Sequence, residues 1–143
     1  MTLALMAGIA CSSINAQETK QLSDYTSVKF YGIDFALAKV VGAEETAGDF
    51  VSAFREIDKL MLAEEDKYVT PLAKRLKMAI KVVDIDPTLK RIADIDENEL
   101  IVNHTTEPFT EQDIEFELQE IEYPEGDGLG LVVIAGELNK GTK

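Results

Sequence analysis

The sequence predicts a mixed α+β (or α/β) fold, with about three helices packed on a small β-sheet. Two observations carry that expectation. Gly128–Leu138 is the most apolar stretch outside the N-terminus, with glycines near both ends and β-branched residues in its middle. Its Leu131–Leu138 portion therefore reads as a central strand, buried on both faces. Further back, apolar residues recur at helical spacing behind recognisable helix starts, at Thr46 and again at Thr110.

Thr2–Ala10 is a continuous run of apolar or small residues, too short to span a bilayer. Ile14-Asn15-Ala16 after it has the aliphatic-x-small form of a cleavage site, so residues 1–16 read as a signal peptide. No Lys or Arg precedes Lys20, which departs from the usual basic start and suggests a start codon placed too late. Cys11 is the single cysteine, and cleavage after Ala16 would leave none for a disulfide, thiol chemistry or metal ligation. The alternative is lipoprotein anchoring through Cys11, which has the small Ala10 before it but lacks Leu three positions earlier. Both routes put the protein outside the cytoplasm, periplasmic or secreted, with no membrane insertion after signal removal.

Residues 17–143 then form a single domain of a size that can bury a core. Gln17–Thr26 is a polar lead-in. In Ser27–Phe35, Val28 and Phe30 alternate, then Ile33 and Phe35. Gly32 sits where the alternation slips, as at a bulge, so this is the first strand. Ala36–Val41 either prolongs it or turns away. Thr46-Ala47-Gly48-Asp49 resembles a capping box opening a helix. The expected inward stripe is Phe50, Phe54, Ile57 and Met61, widened by Ala53 and Leu60, with Arg55, Glu56, Asp58 and Lys59 outside it. Thr70-Pro71 suggests the cap and first residue of a second helix, with Leu72, Leu76 and Ala79 or Ile80 inward and Lys74, Arg75 and Lys77 outward. Lys81–Ile85 reads as a short strand or link, and Asp86-Pro87 as the start of a helical turn through Ile92. Glu97–Val102 is weakly organised. Thr110, with Asp113 three residues on and Phe109 and Ile114 at staple positions, caps a third helix whose inward stripe is Ile114, Leu118 and Ile121. Ile114, Phe116 and Leu118 also alternate as in a strand, but Glu120 and the cap favour helix. Pro124–Gly130 is a turn-rich entry to the last strand.

The formal net charge is −13, unevenly spread. Lys67–Arg91 holds seven basic and two acidic residues, while Ile92–Asp127 holds thirteen acidic and no basic ones. Such a chain repels nucleic acid and anionic membrane surfaces. The preferred reading is a basic helix facing acidic neighbours; the sharper one is a docking face for a cation or basic partner.

Few residues offer chemistry. Asp94-x-Asp96-x-Asn98 has the one-three-five spacing of a calcium loop, with Ile101 at the apolar eighth position. Glu99 replaces the glycine that makes the turn, and Thr105 replaces the bidentate Glu, so a turn with capping aspartates is favoured over a metal site. Asp94, Asp96 and Asn98 are thus weak metal candidates, calcium being the one cofactor considered. Gly126-Asp127-Gly128-Leu129-Gly130 leads into a strand rather than a helix and lacks the Lys-Ser or Lys-Thr of a phosphate loop. His104, the only histidine, adjoins Thr105 and Thr106 in a polar loop, which is not triad geometry, and zinc held by several histidines is excluded by count. Paired carboxylates for glycoside hydrolysis stay open among 27 acids, although no tryptophan supplies a sugar platform.

A resemblance rests on Ser27–Val41, on Phe54-Arg55-Glu56-Ile57-Asp58-Lys59-Leu60 with Glu64-Glu65-Asp66-Lys67-Tyr68, and on Gly128–Ala135 with Glu137-Leu138-Asn139-Lys140. These segments resemble a family of small secreted proteins of unknown function from Gram-negative gut bacteria. The resemblance covers most of residues 17–143 and brings no activity, cofactor or catalytic residue. In similar proteins an aromatic-rich strand follows, which implies that this chain lacks the C-terminal part of its domain. The expected function is a non-enzymatic binding or scaffold protein of the periplasm or envelope, with a protein or glycan partner. An envelope hydrolase using acidic residues on a carbohydrate or peptide is the alternative, and a calcium-dependent module the third reading. An unpaired edge on the last strand would also invite self-association.

Overall fold

The computed structural model describes residues 21–124 and 128–141. The apolar run, the cleavage motif, Cys11 and the residues Gly126 and Asp127 lie outside them. Among the described residues the fold is mixed, with five α-helices and two three-stranded parallel sheets. The strands are β1 (Ser27–Asp34), β2 (Lys39–Val41), β3 (Ala79–Val83), β4 (Ile101–Val102), β5 (Leu129–Ile134) and β6 (Glu137–Asn139). The helices are α1 (Ala47–Ala63), α2 (Glu65–Leu76), α3 (Asp86–Ala93), α4 (Glu97–Leu100) and α5 (Glu111–Glu120).

The sheet orders are β3-β1-β5 and β4-β2-β6. These are two halves of one bent layer. At the break the Ala38 amide donates to the Phe35 carbonyl (3.0 Å), turning the chain from β1 into β2. The outer strand breaks at the same level and stays bonded across it. The Ala135 amide donates to the Asp34 carbonyl (2.8 Å), and the Lys39 amide to the Gly136 carbonyl (3.2 Å). β1–β2 is thus a middle row, with β3 and β4 on one side and β5–β6 on the other.

This arrangement corrects the expected place of the last strand. Leu131–Leu138 is not one central strand. It divides between β5 and β6, and each pairs on one side only among the described residues, β5 with β1 and β6 with β2. The centre belongs to β1, where Val28, Phe30, Tyr31 and Asp34 are buried. Gly32 marks a bulge, as expected: Phe30 pairs with Leu131 but Ile33 pairs with Val133, so β1 carries one extra residue. Its φ of +85° is a conformation that glycine adopts at little cost.

Both expected capping boxes form. The Thr46 hydroxyl accepts from the Asp49 amide (3.3 Å) while the Asp49 carboxylate accepts from the Thr46 amide (3.0 Å). Thr110 and Asp113 repeat the exchange at 3.2 and 2.8 Å. Phe54 and Ile121 are buried as expected, but the inward faces are otherwise rotated. On α1 the buried residues are Val51, Phe54 and Asp58, whereas Ile57 is 40% exposed and Ala53 and Leu60 also face outward. On α5, Glu117 is buried and Ile121 follows it into the interior, while Ile114 and Leu118 are exposed. Thr70-Pro71 does not open a helix. α2 starts at Glu65, directly after α1, and Pro71 lies inside it, where its missing amide leaves one helical hydrogen bond unmade. Its C-terminus is closed by Lys77 at φ 54°, with the Met78 amide reaching the Ala73 carbonyl (3.2 Å). The expected turn at Asp86-Pro87 is α3, and Glu97–Val102 resolves into α4 and β4.

The main core is Phe35, Ala38, Val40, Val51, Phe54, Ile92 and Leu100. At its centre the Phe35 and Phe54 rings stack at 4.1 Å with 6° between planes. This cluster joins α1, α3 and α4 to the bend in the middle row.

Candidate functional site

Asp34 ends β1, the central strand, and in parallel sheets binding sites gather at the carboxyl ends of strands. Its side chain is buried, and both carboxylate oxygens are used. Oδ1 accepts from the Ala36 amide (2.9 Å), fixing the turn toward β2, and Oδ2 accepts from Arg91 Nε (2.9 Å) on α3. The other side of the guanidinium meets Glu117 on α5. One arginine thus ties α3, β1 and α5 together, placing a single positive charge between two buried acids. The pair Arg91–Glu117, with Lys90–Glu122 at 3.7 Å, also shows basic residues of α3 facing the acidic stretch.

Burial pushes the Glu117 carboxyl above its usual range, and Arg91 opposes that shift. Beside this group Tyr31 and Tyr123 lie 5.0 Å apart with 54° between planes. Both phenols are pushed up, chiefly by burial, then by Asp84 for Tyr31 and by Asp34 for Tyr123. The Tyr31 ring also explains a glycine on the neighbouring strand: a Cβ at Gly130 would stand 2.8 Å from Tyr31 Cε2.

A groove of about 460 Å³ opens beside Glu117, lined by Leu37, Lys39, Thr106, Phe109, Asp113 and Phe116 among others. Phe116 is 60% exposed, the most exposed aromatic side chain among the described residues named so far. The Phe109 ring approaches Gly136 at the sheet bend, where a Cβ would meet it at 3.3 Å. The groove therefore has aromatic walls with Lys39 and three acids, Glu107, Asp113 and Glu117, about it.

The calcium candidates are placed differently. Asp96 caps α4, its Oδ1 accepting from the Asn98 amide (2.9 Å) and side-chain amide (3.0 Å), while Asp94 ends α3. Asp94 and Asp96 share a small cleft with the Arg91 guanidinium, an unfavourable neighbour for a cation. Among the described residues no three His, Cys, Asp or Glu side chains are grouped as metal ligands. His104 is exposed, and the Thr106 amide donates to Glu137 (2.7 Å). The Asp34–Arg91–Glu117 group is not expected from sequence; its one signal is an acid, Asp34, between the apolar Ile33 and Phe35 at the end of the strand. No family model, no curated protein and no solved structure matches the chain.

Proposed function

We propose that this is a non-enzymatic binding protein of the periplasm or outer envelope, and that it holds a protein or glycan partner in the Phe116 groove. The observation carrying this reading is the groove itself. It pairs an exposed aromatic ring with Leu37 and Phe109, a composition suited to contact rather than to proton transfer. The two buried acids closest to it are bound to Arg91, so neither stands free as a general acid or base. The envelope location rests on Thr2–Ala10 and Ile14-Asn15-Ala16. No helix among the described residues is long and apolar enough to cross a membrane.

A photo-crosslinking residue placed at Phe116 should give one discrete adduct in cells, and the same residue at exposed Ser52 on α1 should give none. Equal patterns from both positions would sink the groove reading. N-terminal sequencing of envelope material should find Gln17 first; a lipidated Cys11 would change the anchoring but not the compartment.

The hydrolase reading is supported by one feature, Glu117 at the groove with its carboxyl pushed upward by burial. It requires Glu117→Gln to abolish turnover of a carbohydrate or peptide substrate while binding persists.

A further inference from the structure

Asp58 is a fully buried acid that plays no part in the groove. It projects from α1 into the space under the β1 bulge. Its Oδ1 accepts from the Ile33 amide (2.8 Å), and its Oδ2 lies 2.8 Å from the Thr88 hydroxyl on α3. The fit is close enough that a Cβ on Gly32 would stand 2.8 Å from Oδ1.

The hydrogen count decides what species sits there. Thr88 Oγ1 is also 2.8 Å from the Tyr31 carbonyl and 2.9 Å from the Ile85 carbonyl. A hydroxyl has one proton and can also accept. Were Asp58 ionised, three acceptors would compete for that single proton. A protonated Asp58 relieves the conflict: Oδ2–H donates to Thr88 Oγ1, whose own proton is then free for the Tyr31 carbonyl, since the Ile85 carbonyl already accepts from the Leu89 amide (2.9 Å), while Oδ1 still accepts from Ile33.

We propose that Asp58 is held as a neutral carboxylic acid that clasps α1 and α3 to the β1 bulge, and that loss of its proton to solvent as pH rises loosens this clasp. The surrounding charges agree. Asp34 on β1 opposes ionisation, and Arg91 on α3 is committed to Asp34 and to Glu117 on α5. Tyr31, also on β1, presents its carbonyl to Thr88. Arg55 and Lys59 on α1 itself are exposed, and Lys59 pairs with Glu56. Among the described residues no cation is paired with Asp58. Burial pushes its carboxyl up to about 6, from 3.8.

The sign follows from the raised value. Well below pH 3.8 the acid is neutral in both folded and unfolded chains, and the clasp is intact. Between about 4 and 6 the unfolded chain gives up its proton first, and the stability contribution is lost as pH rises through the folded value. Asp58→Asn imitates the neutral acid, offering a carbonyl to Ile33 and an N–H to Thr88. Wild type and this variant should have similar unfolding constants at pH 4. At pH 8 the variant should unfold roughly a hundredfold less readily, the two-unit gap in proton affinity. A variant destabilised equally at all pH values, as for an ionised carboxylate that accepts from Thr88, would overturn the proposal. Should the variant fail to fold, carboxyl carbon-13 titration of the wild-type protein decides: a midpoint near 6 supports the clasp, and one at or below 4 refutes it.

Discussion

The middle and outer rows of the bent sheet are built from similar residues and meet different fates. In the middle row Phe30 and Val40 have no exposed surface. In the outer row, Val133 and Leu138 are each more than a third exposed, although Val133 pairs in register with Ile33 and Leu138 with Val40. The middle row has a neighbour on both sides and the outer row on one among the described residues. Apolar content therefore reports that a strand belongs to a sheet, and the number of neighbouring rows decides how deeply it is buried.

Substitutions can break or sharpen that contrast. The largest effects should come from the middle row and the ring stacked on it. Phe30→Ala or Phe54→Ala should cost ~3–5 kcal/mol, read by denaturant unfolding, because each leaves a cavity that rigid neighbours cannot fill. Costs below ~1 kcal/mol would erase the distinction between the rows. Next comes Gly32→Ala, which forces a Cβ against Asp58 at a positive φ. It should cost ~1–3 kcal/mol. Ile57→Ala, on the outer side of α1, should cost about 1 kcal/mol or less, since a partly exposed side chain leaves little cavity. The smallest change is expected for Val133→Lys. Stability should stay within ~0.5 kcal/mol, while any concentration-dependent self-association through β5, followed by analytical ultracentrifugation, should fall. A large loss of stability there would mean that something covers this edge.

Local signals were legible in the sequence wherever the reason is local. The two threonine-aspartate boxes, the Gly32 bulge and the Asp86-Pro87 start depend on residues within one or two turns of chain, and each forms. Phase and position were not legible, because they depend on distant partners. Hydropathy alone points to Phe50, Phe54, Ile57 and Met61 on α1, whereas the buried stripe runs Val51, Phe54, Asp58, spaced three and four apart with a polar member. An acid in that row has meaning only with Thr88 and the Ile33 amide opposite it. Thr70-Pro71 carries a helix-start signal, yet the helix around it begins at Glu65, which no local residue marks with a side-chain cap. Arg91 lies at the end of a basic run expected to face acidic neighbours, and the spacing does not say which acids it meets. Its two partners come from β1 and α5, which no spacing rule connects.

The middle row also has a temporal consequence. Val28 pairs with Ile80 on one side and with Leu129 on the other, about 50 and about 100 residues further along, so the sheet is dominated by long-range closure and should fold slowly. During synthesis β1 emerges before its partners, and its second flank is supplied only once Leu129–Ile134 has been made, about 100 residues later. Until then Phe30 and Val28 lack the shelter of their second neighbour. For a polypeptide threaded through a membrane before it folds, as proposed here, that delay is useful. The chain stays extended enough to pass, and the arrival of Leu129–Ile134 locks it once it is across.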